Sequence, residues 1–167
     1  MTTTILGLPP FKLALYIEIL ANLSSLPALI LSPSYGASFL LSTTATIAPS
    51  TLTLTRWFGG LVGALTVPLV FSLPSPSGSD GTKMSETDRQ RQIGFRRATY
   101  ITMGAGEVFL SRLMVWAYIQ GEEESGFSGN AMLAGAANMG ALLALRVLFL
   151  VGRPELIEEC DGKVKGQ

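Results

Sequence analysis

Four stretches of this chain are apolar over nearly the length needed to cross a hydrocarbon core, which takes about 20 residues. They run over residues 13–31, 57–73, 98–119 and 131–151. Each is bounded by residues that belong in water or at an interface. Pro9-Pro10 and Lys12 precede the first, and the Pro/Ser/Gly-rich segment from Pro74 follows the second. Arg96-Arg97 opens the third, and Gly152-Arg153-Pro154 stops the fourth. Apolar residues lie around most of each circumference, which argues against a water-soluble bundle. A cleaved signal peptide is the rival for the first stretch. Its weakly basic flank and Glu18 inside the apolar region disfavour that reading. The expectation is an all-α, polytopic membrane protein, a single domain built as a four-transmembrane-helix bundle.

Composition agrees. Asp, Glu, Lys and Arg make up 14% of the residues, against about 25% in a typical soluble domain. Twelve basic residues balance twelve acidic ones, so nothing marks nucleic acid as a partner. There is no histidine, which excludes histidine-based triads and removes the commonest metal ligand. A single cysteine, Cys160, excludes an internal disulfide and a cysteine-clustered zinc site. No cofactor or metal is expected.

Orientation follows from Lys and Arg outside the spans. Lys12, the 74–97 linker and the 152–167 tail carry nine of the twelve basic residues. Four spans put these three segments on one side, so both termini are expected to be cytosolic, with loop 32–56 on the lumenal side. Trp57, Trp116 and Tyr118 then form an aromatic belt at the lumenal interface. Lys163 and Lys165 resemble a dilysine retrieval signal, which implies residence in the endoplasmic reticulum. Loop 32–56, with Phe39-Leu40-Leu41, is expected to rest on the interface as a lid. The linker is expected to be mobile.

Polar groups inside spans are functional candidates by default. Here they are Glu18, Asn22, Glu107, Arg112, Asn138 and Arg146. Helical geometry places Leu15, Glu18, Asn22 and Ser25 on one stripe. Tyr100, Gly104, Glu107, Ser111 and Met114 form a second stripe, and Gly135, Asn138, Leu142 and Arg146 a third. Arg56, Gly59, Gly60 and Gly63 form the corresponding stripe on the second span. Four polar or small faces imply a bundle with a polar interior. By depth, Glu18 and Arg146 share a level, whereas Glu107 lies near the midplane with no cation at its own depth. Desolvation then favours the neutral acid at Glu107, a proton donor, while Arg146 holds Glu18 ionised as the complementary base. Asn22, Asn138, Arg146 and Tyr100 would orient water or substrate. Glu18 with Arg146 also reads as an ion pair that sets helix register, and Asn22 with Asn138 as an interhelical hydrogen bond.

The segment Leu54-Thr-Arg-Trp-Phe-Gly-Gly60 and the Gly/Ala-rich last span ending Arg146-Val-Leu-Phe-Leu-Val-Gly-Arg-Pro154 resemble small fungal four-span membrane proteins of the DoxX-like type. The resemblance covers most of the chain. It implies a role in a natural-product pathway, where such proteins include hydrolases and cyclases that open epoxides. Together with the two carboxylates, it gives the leading expectation: a cofactor-independent, membrane-embedded enzyme that opens an epoxide on a lipophilic intermediate. The alternative is a non-catalytic adaptor or assembly subunit. Gly59-x-x-x-Gly63, Ala131-x-x-x-Gly135 and Ala136-x-x-x-Gly140 would serve packing within the bundle first and a homodimer second. A proton-coupled transporter is the third possibility.

Overall fold

The computed structural model describes residues 4–5, 7–43, 45–73 and 85–158. Lys83, Cys160, Lys163 and Lys165 lie outside the described residues. The described residues form helices and short connections, without a named strand. Helix α1 spans Pro10–Leu26 and continues through one wide π turn, Pro27–Leu31. Pro27 has no N–H, and the chain closes that turn with Ser32 N–H donating to the Pro27 carbonyl at 3.1 Å. A short α2 (Pro33–Ser38) leads to α3 (Pro49–Phe71), which carries Pro68 in its last turn. Then come α4 (Glu86–Gln120), the single turn α5 (Glu122–Ser125) and α6 (Gly129–Val147). A second π turn, Leu148–Gly152, precedes α7 (Glu155–Glu158).

Three of these helices are long and apolar enough to cross a membrane: Pro10–Leu31, Pro49–Phe71 and Gly129–Gly152. Each agrees closely with an expected span, except that α3 begins eight residues before Trp57. The expected third span lies inside α4, which is not among the three.

The linker expectation needs correction. Residues 86–97 are helical and form the first turns of the 35-residue α4. Glu86 and Asp88 sit in its first turn, where the helix dipole favours anions. Arg89 lies 3.6 Å from Glu86 and Arg91 lies 3.8 Å from Asp88, both one turn apart. Ile93 and Arg96 are buried, so this segment packs inward on one side. Charge density suggested a linker; the inward-facing residues at helical spacing show why it is a helix. The loop after the first span is likewise shorter than 32–56, because α2 and the start of α3 occupy much of it.

The helices pair as two hairpins, α1 with α3 and α4 with α6. At the near end, where α1 and α4 begin and α3 and α6 finish, the hairpins share one core. Phe11, Leu15 and Ile19 of α1 meet Leu69, Ile93, Tyr100, Phe149, Leu156 and Ile157 there. The Phe11 ring lies 5.0 Å from Tyr100 and 5.3 Å from Phe149, the latter edge-on at 87°. Such pairs add about 0.5–1.5 kcal/mol beyond their buried area.

At the far end the hairpins are tied through backbone. Ser42 N–H donates to the Gly126 carbonyl at 3.0 Å, and Ser128 N–H donates to the Leu40 carbonyl at 2.8 Å. Gly126 has φ 71°, a left-handed conformation that suits glycine at the end of α5. Leu40 and Leu41 are thus held by the 126–128 segment, while Phe39 is exposed and stacks edge-on against Tyr35 at 4.8 Å.

Small residues set the closest approaches. A Cβ on Gly59 would lie 2.8 Å from both Leu29 and Ile30, so α3 meets the α1 π turn almost backbone to backbone. A Cβ on Gly135 would likewise lie 2.8 Å from the Met114 sulfur. The perimeter is apolar: Ile17, Leu20, Leu31, Phe109, Ile119 and Val151 are exposed, as are Trp57, Trp116 and Tyr118.

Candidate functional site

The shared core ends at a cluster of three charged side chains, one from each of three helices. Glu18 follows Leu15 on the inner stripe of α1, Glu107 follows Tyr100 and Gly104 on α4, and Arg146 precedes Phe149 on the α6 side. Their exposures are 9%, 6% and 2%. Arg146 Nε donates to Glu107 Oε1 at 2.8 Å, and Nη2 lies 2.7 Å from the same oxygen. Arg146 Nη2 also bonds Glu18 Oε1. One guanidinium therefore holds two carboxylates and ties the hairpins together.

The surroundings explain how an arginine fits there. Gly104, one turn before Glu107, leaves room for the arginine stem, and its missing Cβ would lie 3.5 Å from Arg146 Cδ. The Tyr100 ring covers one face of the guanidinium, with Cζ 4.7 Å from the ring centroid. Phe11 packs behind Tyr100.

Hydrogen bonding among protein groups does not exhaust this cluster. Glu107 Oε2 and Arg146 Nη1 are buried and make no hydrogen bond to the protein. Buried polar atoms are nearly always satisfied, so such a pair marks a position where a further polar partner is stabilising.

Of the residues expected at the site, Glu18, Glu107, Arg146 and Tyr100 come together. The expectation that Glu107 lacks a cation at its depth is overturned, because Arg146 bonds it directly. Depth along a helix ignores the reach of arginine, whose long stem lets its head lie a turn from its own Cα. Asn22 is half-buried one turn beyond Glu18. Asn138 is exposed and is not brought to the cluster. Eight residues separate it from Arg146, a rotation of about 80° that turns it off the inner face. Arg112 is exposed as well. On α3, Gly59 and Gly63 face α1, whereas Arg56 and Gly60 are exposed.

One buried cation was missed. Arg96 is fully buried, donating from Nε to the Ser72 carbonyl at 2.8 Å and from Nη1 to the Ile157 carbonyl at 3.3 Å. It joins the end of α3 to α7, and Arg97 beside it pairs with Glu158 at 3.2 Å. The spacing held the signal: Arg96 lies eleven residues before Glu107, within about 20° of the same face. Its place in a basic pair made it read as an interfacial charge.

A shallow apolar groove of about 250 Å³ runs between α1 and α3, lined by Leu23, Gly63, Thr66, Val67, Val70 and Phe71. Leu23 lies about 7.5 Å along α1 from Glu18 and about 140° around it, so the groove opens away from the cluster.

The fold and the site define an all-helical protein with three membrane-compatible helices and a buried Glu–Arg–Glu cluster. No family model matches the sequence, and no curated protein or solved structure matches it.

Proposed function

We propose that this chain is a membrane-embedded enzyme that opens an epoxide on a lipophilic intermediate, by hydrolysis or cyclisation, with Glu107 as acid and Glu18 as base. The observation that carries the reading is the Glu18–Arg146–Glu107 cluster, with Glu107 Oε2 free of protein partners. With both carboxylates ionised the cluster holds one excess negative charge in a buried site. One proton on one carboxyl removes it, which leaves an acid and a base joined by a shared cation. Glu107 Oε1 accepts from Arg146, while Glu107 Oε2 makes no hydrogen bond to the protein and is the oxygen through which Glu107 would meet the substrate.

In the step, the Glu107 proton passes to the epoxide oxygen as the C–O bond breaks. The oxygen of water, or of a hydroxyl on the substrate, forms the new C–O bond and its proton goes to Glu18. Return of that proton to Glu107 resets the pair. Asn22, one turn from Glu18, would orient the nucleophile.

The same reading takes α4 as a fourth span, with both termini cytosolic, in the endoplasmic reticulum of a fungal natural-product pathway. Its test is a metabolite profile of cells with and without the gene, followed by rescue with Glu107→Gln. A precursor that accumulates and is consumed on return of the wild-type protein, but not of the variant, supports the enzyme. An unchanged profile refutes it. That result favours a non-catalytic adaptor, a reading supported by Gly140, which has nothing within 4 Å and leaves the Ala136-x-x-x-Gly140 face open to a partner helix or a second copy.

A further inference from the structure

A charged side chain inside a bilayer is costly unless it pairs, and Arg112 is such a group. It is exposed on α4 and makes no hydrogen bond or ion pair among the described residues. Its depth follows from the helix beside it. Gly104 of α4 lies against Leu143 and Arg146, and Gly135 of α6 lies against Met114, so the two antiparallel helices share a level along these residues. Arg112, half a turn before Met114, is level with Ala137. That is about 5 Å beyond the midpoint of the membrane-compatible helix Gly129–Gly152. We infer that this face of α4 docks a transmembrane helix of another protein, whose aspartate or glutamate near the bilayer centre pairs with Arg112. The inference is independent of the enzymatic reading and rests on α4 crossing the membrane beside α6.

Direction and reach isolate this cation. Around α4, Arg112 points about 140° away from Glu107, so it is turned from the buried cluster. Ile101, Ala105, Phe109, Trp116 and Ile119 lie within about 60° of it and are all exposed, an apolar stripe with one charge in it. Arg112 is eight residues, about 12 Å, from the end of α4 at Gln120, whereas an arginine stem spans little more than one turn. Side chains on a helix also lean towards its N-terminus, which for α4 is the near end. The guanidinium is therefore directed to the membrane centre and away from the closer interface. A headgroup phosphate is out of its reach, and a carboxylate near the level of Glu107 is within it.

Charge then selects the partner. Among the described residues the carboxylates at this depth are Glu18 and Glu107, both buried on Arg146. A second copy thus offers Arg112 no acid, and a two-fold pair through this stripe would set one Arg112 beside the other. The occupant is a different chain with an acid in an otherwise apolar span. Pairing the two removes the cost that each charge bears alone in lipid. Ala105, two turns before Arg112, leaves room for the partner backbone on the side to which the guanidinium leans.

The experiment places the full chain in phosphatidylcholine vesicles with a synthetic single-span helix of about 22 Leu and Ala residues, and reads association by energy transfer. One version of the helix carries Asp at its centre and a second carries Leu there. A third carries the Asp about 10 Å nearer one end. Saturable association is expected for the central Asp. The other two should bind at least about tenfold more weakly, as loss of a hydrogen bond between charged groups implies. Arg112→Leu should lower the central-Asp helix to the level of the Leu helix, and an exposed side chain without partners can be replaced without disturbing the fold.

Equal association of the Asp and Leu helices would reduce the stripe to apolar contact, with lipid headgroups satisfying Arg112. Undiminished binding by Arg112→Leu would assign the acid to another site. Labelling of Ser85→Cys and Ser125→Cys from one face, in a Cys160→Ser background, would take Arg112 out of the hydrocarbon. Each of these outcomes overturns the inference, and the first two do so with the fourth span intact. None depends on turnover, so binding of the central-Asp helix by a protein that changes no metabolite sustains this inference while refuting the enzyme.

Discussion

Replacing Arg146 with methionine tests whether the cluster is a coupled unit. The substitution removes the Nε and Nη2 bonds to Glu107, the bond to Glu18 and the contact with the Tyr100 ring. It leaves two carboxyl groups at 9% and 6% exposure without their cation. Removing one partner of a buried ion pair costs about 3–5 kcal/mol, because the remaining charge is uncompensated. Neutral interhelical hydrogen bonds within membranes average only about 0.6 kcal/mol, so the two cases are well separated. A second variant completes the cycle: Glu18→Met and Glu107→Met added to Arg146→Met replace the whole cluster with apolar side chains of similar volume. Such replacements are often neutral, so the triple variant should return to within about 1 kcal/mol of wild type. The assay is reversible unfolding in mixed micelles, followed by fluorescence of Trp57 and Trp116. A loss below about 1 kcal/mol for Arg146→Met would place the cluster among ordinary interhelical contacts. A triple variant less stable than the single one would refute the account of desolvated charge.

Three other outcomes follow from the packing. Gly59→Ala should destabilise by roughly 1–3 kcal/mol, because its Cβ would fall 2.8 Å from Leu29 and Ile30, whereas Gly60→Ala, with nothing within 4 Å, should stay within about 0.5 kcal/mol of wild type in the same unfolding assay. Arg96→Met should release α7 from the bundle by leaving the Ser72 and Ile157 carbonyls unpaired, and limited proteolysis should then cut near Gly152–Glu155 faster while the 126–128 segment is unaffected. If α4 crosses the membrane, cysteines introduced in a Cys160→Ser background at Gly7 and Ser85 should be labelled from one face and a cysteine at Ser125 from the other. Labelling of Ser85→Cys and Ser125→Cys from the same face would remove the fourth span.

What sequence alone determines here is periodic or compositional. The apolar runs located α1, α3 and α6, because lipid accepts only helices with apolar perimeters over such lengths. Helical spacing put Tyr100, Gly104, Glu107, Ser111 and Met114 on one inward face, and all five are buried or half-buried in the structure. Spacing also made Glu18 and Arg146 partners. What it does not contain is which helices are neighbours and how far a side chain reaches. Only the packing of α4 beside α6 brought Glu107 under the same guanidinium, and only the docking of α7 drew Arg96 inside. Asn138 left the expected face for a similar reason: eight residues turn it about 80° from Arg146, and the tertiary contacts decide which part of a stripe stays buried. Residues 86–97 show the same limit, since their charges suit a linker as well as a helix surface until Ile93 and Arg96 find a core to enter. Direction along and around a helix is a local property of the chain; the meeting of two stripes depends on every helix between them.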